Sequence, residues 1–370
     1  MYDWELTLKI LIFVDDFAGG AGKNAQVLSI SLRTRGYEVS IVLVRPSSQP
    51  RFDLHDIKYQ TLMPDGSSWN GPKFFRAARM AKEIIRSENP DLIITFMHNI
   101  SILVAFSQLF SQIPLIVSER ADPIRGKLRF PWNVLRILMY RRADKVSILF
   151  DDFKSFDFGI NRNKCVTTPN PVMSPPKYRL NGDQKPNGYF TFITMSRLSP
   201  TKNVGSIIRY FAEVHLTFPQ TKLIILGDGK DRKNLENIIN ELKLWDCVVL
   251  KGNVKAIYDE LSVADAYLMA SHQEGFPNAL VEAMSIGLPV VAFACHNGLK
   301  KIVQSGINGF LVQEGDKASY VNAMRQLIMD SEIYQTLSNN SRKITSEFSL
   351  EKTMDIWESL INQFKPNICG

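Results

Sequence analysis

The sequence predicts an α/β protein built from two doubly wound parallel sheets, each Rossmann-like. Three observations carry that expectation. The chain has 370 residues, more than one hydrophobic core comfortably organises, so two domains are expected. Short runs that are apolar on both faces alternate with stretches of helical period, as in a parallel sheet covered by crossover helices. One break in that rhythm, rich in proline, falls near the middle of the chain.

In the first series the apolar runs are residues 8–14, 39–44, 92–96, 113–117 and 146–149, with helical patterns near 24–35, 73–87, 100–110 and 132–142. From Pro171 the chain then reads PVMSPPKYRLNGDQKPNG and loses its periodicity. Four prolines and two glycines mark that stretch as a linker. A second series follows at 190–195, 204–218, 222–226, 232–242, 248–250, 266–270 and 290–293. The expected division is an N-terminal domain over 1–172, a linker over 173–188 and a C-terminal domain over 189–349. A last helical stretch, 350–364, comes after the second series is complete. Two such sheets imply a cleft between domains, and doubly wound sheets bind ligands at the carboxyl ends of their strands.

With 45% apolar and 22% charged residues the composition is that of a soluble globular protein. No apolar run approaches the roughly 18 residues of a membrane span. The opening MYDWELTLKILIFV carries acids ahead of a short apolar run, which argues against a signal peptide. Cys165, Cys247, Cys295 and Cys369 are scattered without a C-x-x-C pair, and the histidines show no metal-ligand spacing. That pattern fits a reducing cytosol and no metal site. Residues 1–180 hold 25 Lys+Arg against 17 Asp+Glu, or +8; the remaining 19 against 20 give −1, which together make the +7 of the whole chain. A basic first half suits an anionic lipid, a phosphorylated substrate or nucleic acid. The absence of zinc-finger spacing, aromatic RNA motifs and long basic runs ranks nucleic acid last.

The densest chemistry lies in residues 271–295, SHQEGFPNALVEAMSIGLPVVAFAC. An apolar strand run leads into a polar loop, Gly275 and Pro277 turn the chain into a helix, and Gly287-Leu288-Pro289 ends it. Pro277 suits the first helical position. The backbone N–H groups of Asn278, Ala279 and Leu280 are then without intrahelical partners, which makes a phosphate site. Glu274 precedes the helix and Glu282 lies inside it; carboxylates accept hydrogen bonds from the vicinal hydroxyls of sugars and riboses. An E-x7-E pair alone is ordinarily an acid at a helix dipole and an exposed helix residue. Here it comes within the frame EGFPNALVEAMSIGLPVV.

That frame closely resembles the signature of the retaining, two-domain glycosyltransferases called family 4. The resemblance covers nearly the whole chain and is strongest over residues 191–312. It implies the GT-B architecture, a terminal helix within 350–370 that crosses back to the first domain, an acceptor-side first domain and a second domain that binds a nucleotide sugar. It implies that Glu282 holds the ribose hydroxyls and Glu274 the transferred sugar. Gly275, Phe276, Pro277, Asn278, Ala279 and Leu280 form the donor-binding turn and helix start.

Other segments fit that reading. In Met195-Ser-Arg197-Leu-Ser-Pro-Thr-Lys202-Asn203, at the end of the first strand of the second series, Arg197 and Lys202 are ordinary surface cations when taken alone. At a strand carboxyl end they suit the charge that gathers on a departing diphosphate, where a well-placed donor is worth ~3 kcal/mol. The resembled family carries the same pair there. There is no Asp-x-Asp motif, which fits a site where Arg, Lys and a helix start replace a metal; no cofactor is expected. Gly227 and Gly229, at the end of another strand, admit close approach of a base or ribose, or simply make a turn. The Asn297-Gly298 loop has a weaker claim on the sugar.

In the first domain, Gly20, Gly22 and Ala25 make G-x-G-x-x-A after the first strand. Three readings stand: a tight strand–helix turn, a glycine loop approaching the donor diphosphate, or a dinucleotide site with Arg45 facing a 2′-phosphate. Ser118-Glu119-Arg120-Ala121-Asp122-Pro123 ends a strand where family members often carry a histidine that contacts the donor. Some polysaccharide-assembly members show a similar Ser-Glu-Arg-x-Asp-Pro stretch. Glu119 and Arg120 are therefore possible acceptor or sugar contacts, and His98 a possible substitute for the histidine or a strand-capping side chain.

The expected reaction moves an N-acetylhexosamine or hexose from a nucleoside-diphosphate sugar, UDP in preference to GDP, to a hydroxyl of a saccharide acceptor. The alternatives are an NADP-dependent oxidoreductase and an inactive sugar-binding scaffold of the same fold. The former leaves Arg197, Lys202 and the E-x7-E frame unexplained, and the latter need not keep both acids and both cations. Residues 125–145, RGKLRFPWNVLRILMYRRADK, carry seven basic residues and one acid. Arg129, Asn133, Arg136 and Tyr140 recur at helical spacing, and each basic residue near an anionic surface is worth ~1 kcal/mol. A cytoplasmic protein held peripherally on the inner leaflet, acting on a lipid-linked saccharide, is the expectation. The competing account is a core helix with a basic carboxyl end.

Overall fold

The computed structural model describes residues 7–45, 48–54, 56–63, 71–126, 128, 130–175 and 188–365. The chain separates into two compact units, Met1–Pro171 with Leu350–Gly370, and Val172–Ser349. Most of the linker expected at 173–188, together with Lys127, Arg129 and Cys369, lies outside the described residues.

In the first unit the order is β1 (Lys9–Val14), α1 (Gly19–Thr34), β2 (Glu38–Leu43), β3 (Lys58–Thr61), α2 (Pro72–Glu88), β4 (Leu92–Phe96), α3 (His98–Ser107), β5 (Leu115–Ser118), α4 (Trp132–Tyr140), β6 (Lys145–Ile148) and β7 (Cys165–Thr167). All neighbouring strands pair in parallel, in the sheet order β3-β2-β1-β4-β5-β6-β7. The order reverses between β1 and β4, so the topological switch point lies between the loops that leave those two strands. β3, KYQT, is mostly exposed and polar, which is why hydrophobic periodicity did not reveal it. The expected helix at 24–35 begins earlier, at Gly19. A Cβ on Gly22 would sit 2.3 Å from the Asp16 carbonyl oxygen, so glycine there lets the first helical turn ride over the strand end.

The second unit runs β8 (Phe190–Met195), α5 (Val204–Thr217), β9 (Thr221–Leu226), α6 (Arg232–Glu241), β10 (Val248–Gly252), α7 (Ile257–Ser262), β11 (Ala266–Met269), α8 (Asn278–Ser285), β12 (Val290–Phe293), β13 (Gly309–Val312), α9 (Lys317–Met329), α10 (Ser331–Ser341) and α11 (Ile344–Glu347). Its sheet order is β10-β9-β8-β11-β12-β13, again parallel. Here the switch point falls between β8 and β11. Phe192, Phe211, Ile225, Leu268, Phe293 and Tyr320 belong to one buried cluster on this sheet.

α12 (Leu350–Ile361) belongs to the first unit although it closes the chain. Its Met354, Trp357, Leu360 and Ile361 are buried among Ile10, Leu28, Leu32 and Phe96. Arg35 pairs with Glu358 at 3.2 Å, and the Tyr37 hydroxyl donates to Asn362 Oδ1 at 3.0 Å. The helix is held by apolar burial, with polar ties at its rim.

Candidate active site

The carboxyl ends of β8 and β11 are sewn together. Asn203, in the left-handed region at φ 52°, donates its Nδ2 to the Ala270 carbonyl at 3.2 Å and accepts from Ser206 Oγ at 2.8 Å. The His272 N–H donates to the Thr201 carbonyl at 2.9 Å. These ties hold the loop after β8 against the loop after β11. Between them Lys202 Nζ donates to both oxygens of Glu274, at 2.7 Å each. The pair is partly buried, with the side chains 23% and 11% exposed. Arg197, on the same β8 loop, is exposed.

α8 opens at this place. Pro277 is its N-cap, with φ −80° and ψ 73°, and not its first residue; the Asn278 N–H turns back to the Phe276 carbonyl at 2.9 Å. The outward donors of the first turn are thus those of Ala279 and Leu280, which have no preceding helical carbonyl to reach. At the other end Gly287 (φ 93°) donates to the Met284 carbonyl and Leu288 to that of Ala283, at 2.9 and 3.1 Å. That is a Schellman cap, and it fixes the eight-residue helix at both ends. Glu282 is 8% exposed on α8.

Tyr267, on β11, was not singled out from the sequence, where ADAYLMAS reads as plain core. Its hydroxyl donates to the Met195 carbonyl at 3.0 Å. Burial pushes that phenol far up, and the negative charges of Glu274 and, less strongly, Glu282 push it further. Both carboxylates therefore act on one buried ring, which brings the two acids of the E-x7-E frame to the same locality.

Gly227 and Gly229 are explained by the chain itself. A Cβ on Gly227 (φ 112°) would lie 1.9 Å from the Ser196 carbonyl oxygen, and one on Gly229 would lie 2.2 Å from that of Leu198. The β9–α6 loop needs glycine to pass close over the Arg197 loop. Asn297 and Gly298 open a 3-10 turn.

In the first unit Gly20 and Gly22 lie in the first turn of α1, and the structure corrects the expectations for Arg45, Arg120 and Glu119. Arg45 is taken by Asp15, with Nε–Oδ1 at 2.9 Å and Nη2–Oδ2 at 2.6 Å, so its fork is not open to a 2′-phosphate. Arg120 is also consumed, and a role in contacting sugar does not fit. Its five N–H donors are engaged: Nε by Ser118 Oγ, Nη1 by the Thr168 carbonyl and Asn170 Oδ1, Nη2 by Ser147 Oγ and Thr168 Oγ1. Its face lies 5.7 Å from the Phe96 ring centroid and 5.5 Å from that of Trp357. Arg120 staples β5, β6 and the chain beyond β7 to the face under α12. Asp122 caps the next turn by accepting from the N–H groups of Ile124 and Arg125 at 2.8 and 3.1 Å.

Glu119 is fully buried. Tyr140 donates to its Oε2 at 2.9 Å, Arg136 Nη1 stands 3.8 Å away, and His98 Nδ1 lies 3.5 Å from Oε1. Burial raises the carboxyl's pKa, yet His98, Arg136 and Tyr140 outweigh it and hold the group below the usual carboxylate range. His98 starts α3 at the end of β4, beside the first unit's switch point, and its side chain is 21% exposed. Glu119 Oε1 and His98 Nδ1 face each other without a hydrogen bond, and Glu119 has no exposed surface of its own.

Among the described residues no group of three or more His, Cys, Asp or Glu side chains converges as a metal site. Residues 18–172 match the model of Glycosyltransferase Family 4, and residues 181–344 that of Glycosyl transferases group 1. The chain is a family 4-type glycosyltransferase. Its fold is GT-B. The structure of Anabaena Alr3699/HepE in complex with UDP and glucose superposes with a TM-score of 0.79 at 22% identity, over 96% of this chain and 100% of that one. The amylovoran biosynthesis glycosyltransferase AmsD of Erwinia amylovora is 24% identical over 96% of this chain and 99% of its own. An Escherichia coli UDP-Gal:alpha-D-GlcNAc-diphosphoundecaprenol alpha-1,3-galactosyltransferase is 31% identical over 45% of this chain and 43% of its own.

The state of Glu119 sets an acid limit on this enzyme. A carboxyl whose pKa is lower folded than unfolded adds stability above its unfolded value, about 4.3, and loses it as pH falls through the folded value. Urea unfolding between about pH 5 and pH 3 should show Glu119→Gln losing stability with a shallower slope than the wild type. Equal slopes would show that Glu119 titrates alike in both states.

Proposed function

We propose that this glycosyltransferase transfers an N-acetylhexosamine or hexose, with retained anomeric configuration, from a UDP-sugar to a hydroxyl of a lipid-linked saccharide. The setting is cell-surface polysaccharide assembly at the cytoplasmic face of the membrane. The observation that carries the reading is the Lys202–Glu274 couple at the β8/β11 switch point, beside the start of α8. Doubly wound sheets bind their ligands at such a point. The two side chains neutralise each other. An incoming diphosphate draws Lys202 to its oxygens, and the sugar hydroxyls take Glu274.

Arg197, Lys202 and the free donors of α8 then stabilise the charge that builds on the leaving diphosphate. The acceptor oxygen forms its bond to the anomeric carbon as the carbon–phosphate oxygen bond breaks, and the acceptor proton passes to the leaving phosphate. Glu282 holds the ribose. Support for UDP comes from Alr3699/HepE, whose structure holds UDP and glucose. Support for a lipid-linked acceptor comes from the E. coli galactosyltransferase, named for an undecaprenol-linked one. AmsD supports a place in polysaccharide synthesis. A thermal-shift panel of UDP, GDP and ADP sugars tests the donor: stabilisation by UDP sugars is expected, and a response to GDP sugars alone would replace UDP.

Lys202→Ala should cut turnover about 100-fold while changing donor affinity much less, because the leaving charge peaks in the transition state. Glu282→Ala should instead weaken UDP binding itself, by about tenfold or more, for the loss of hydrogen bonds to a charged acceptor. Single-turnover rates and calorimetric affinities separate the two effects, and near-normal turnover in Lys202→Ala would remove it from the chemistry. We also propose that no metal takes part. Transfer should persist in excess EDTA; loss on chelation with recovery on adding manganese would overturn this.

A further inference from the structure

The helix read from the sequence as a basic membrane face is packed with its polar side inward. On α4, Asn133, Arg136 and Tyr140 share a side, and Arg136 and Tyr140 are fully buried. Arg136 Nη2 donates to Asn133 Oδ1 at 2.8 Å, and its guanidinium lies 4.4 Å from the Phe156 ring centroid. Tyr140 reaches Glu119. Arg136 is thus spent inside the unit, and Arg129 lies outside the described residues.

What α4 and the residue ahead of its N-cap turn outward is apolar. Phe130, Val134 and Leu138, spaced by four, are 86%, 46% and 43% exposed. At the far end of the helix Arg142 donates to the carbonyls of Gln108, Ser111 and Ile113 at 2.8, 2.9 and 2.5 Å. The loop so held presents Phe110, 96% exposed. Phe75, at the start of α2 and 64% exposed, packs edge-on against Phe74 and Phe106, and Phe74 touches Trp132. A loop tied down by three hydrogen bonds is displaying its ring rather than failing to bury it. Apolar patches of this kind on a soluble surface mark contact sites.

The charge around the patch selects the partner. Lys73, Arg76, Arg79, Arg125 and Arg141 are exposed on the same elements and their flanks. A symmetric contact with a second copy would set this basic rim against itself. An anionic surface would not be repelled. We infer that this face docks on an anionic lipid bilayer, with Phe75, Phe110, Phe130, Val134 and Leu138 entering the headgroup–acyl boundary and the basic rim meeting the headgroups. The inference rests on the peripheral-membrane reading above and moves its basis from the basic stripe to exposed rings.

Co-sedimentation of the full chain with phosphatidylcholine vesicles, with and without phosphatidylglycerol, tests it. The wild type should bind the mixed vesicles and release them with salt. Phe110→Ser combined with Phe130→Ser should lower binding about tenfold with an unchanged melting temperature, and Arg76→Gln with Arg79→Gln should lower it less. Undiminished binding by the double serine variant would overturn the assignment of the face while leaving membrane association standing. Indifference of the wild type to both vesicles would overturn both, while a thermal shift with UDP would still uphold the transferase reading. A dimer in sedimentation velocity that the serine pair abolishes would give the face to a second copy, and so also overturn the inference.

Discussion

The second unit depends on one reversal. Where strand order turns back between β8 and β11, two loops leave in diverging directions and would gape without a bond across them. Asn203, the Thr201 carbonyl and the Lys202–Glu274 pair supply that bond. Two charges at 2.7 Å that are still reachable by solvent form a contact that holds and can be broken. A fully buried pair would cost several kcal/mol to part, whereas an exposed one is worth ~1 kcal/mol or less. A pair in between suits a site that must stay shaped when empty and yield to a ligand of matching charge.

Much of this was legible in the sequence. Residues 190–195 and 290–293 read as strands and are strands, because short apolar runs bounded by turn residues and alternating with helical stretches suit a buried parallel sheet. Lys202 and Glu274 were legible as separate cation and acid, but their pairing was not: it spans 72 positions and depends on strand order. Tyr267 was hidden for another reason, since a phenol on a buried strand has the composition of a core. The start of α1 was misplaced because the cause, a close pass of Gly22 over the Asp16 and Phe17 backbone, is a backbone contact that no side-chain pattern encodes.

The first unit shows how far a helical pattern can mislead. Polar and apolar stripes on α4 were both visible in the sequence, and the usual rule turns the apolar one inward. Here Glu119 reverses it. A buried carboxylate needs charged and hydrogen-bonding neighbours, and α4 supplies two of them, Arg136 and Tyr140, beside His98 of α3.

The position of α12 has a consequence for how the protein is made. Met354, Trp357, Leu360 and Ile361 complete a core whose other members come from the first strands and helices of the chain, and Arg120 is sandwiched between one of those rings and Phe96. Domains ordinarily fold in order of synthesis, the earliest first. In this chain the unit that is translated first lacks part of its interior until Leu350–Ile361 have left the ribosome. The later unit, Val172–Ser349, is whole sooner. The order of maturation is thus the reverse of the order of translation, and the half that begins the chain spends the longest time with an open hydrophobic flank.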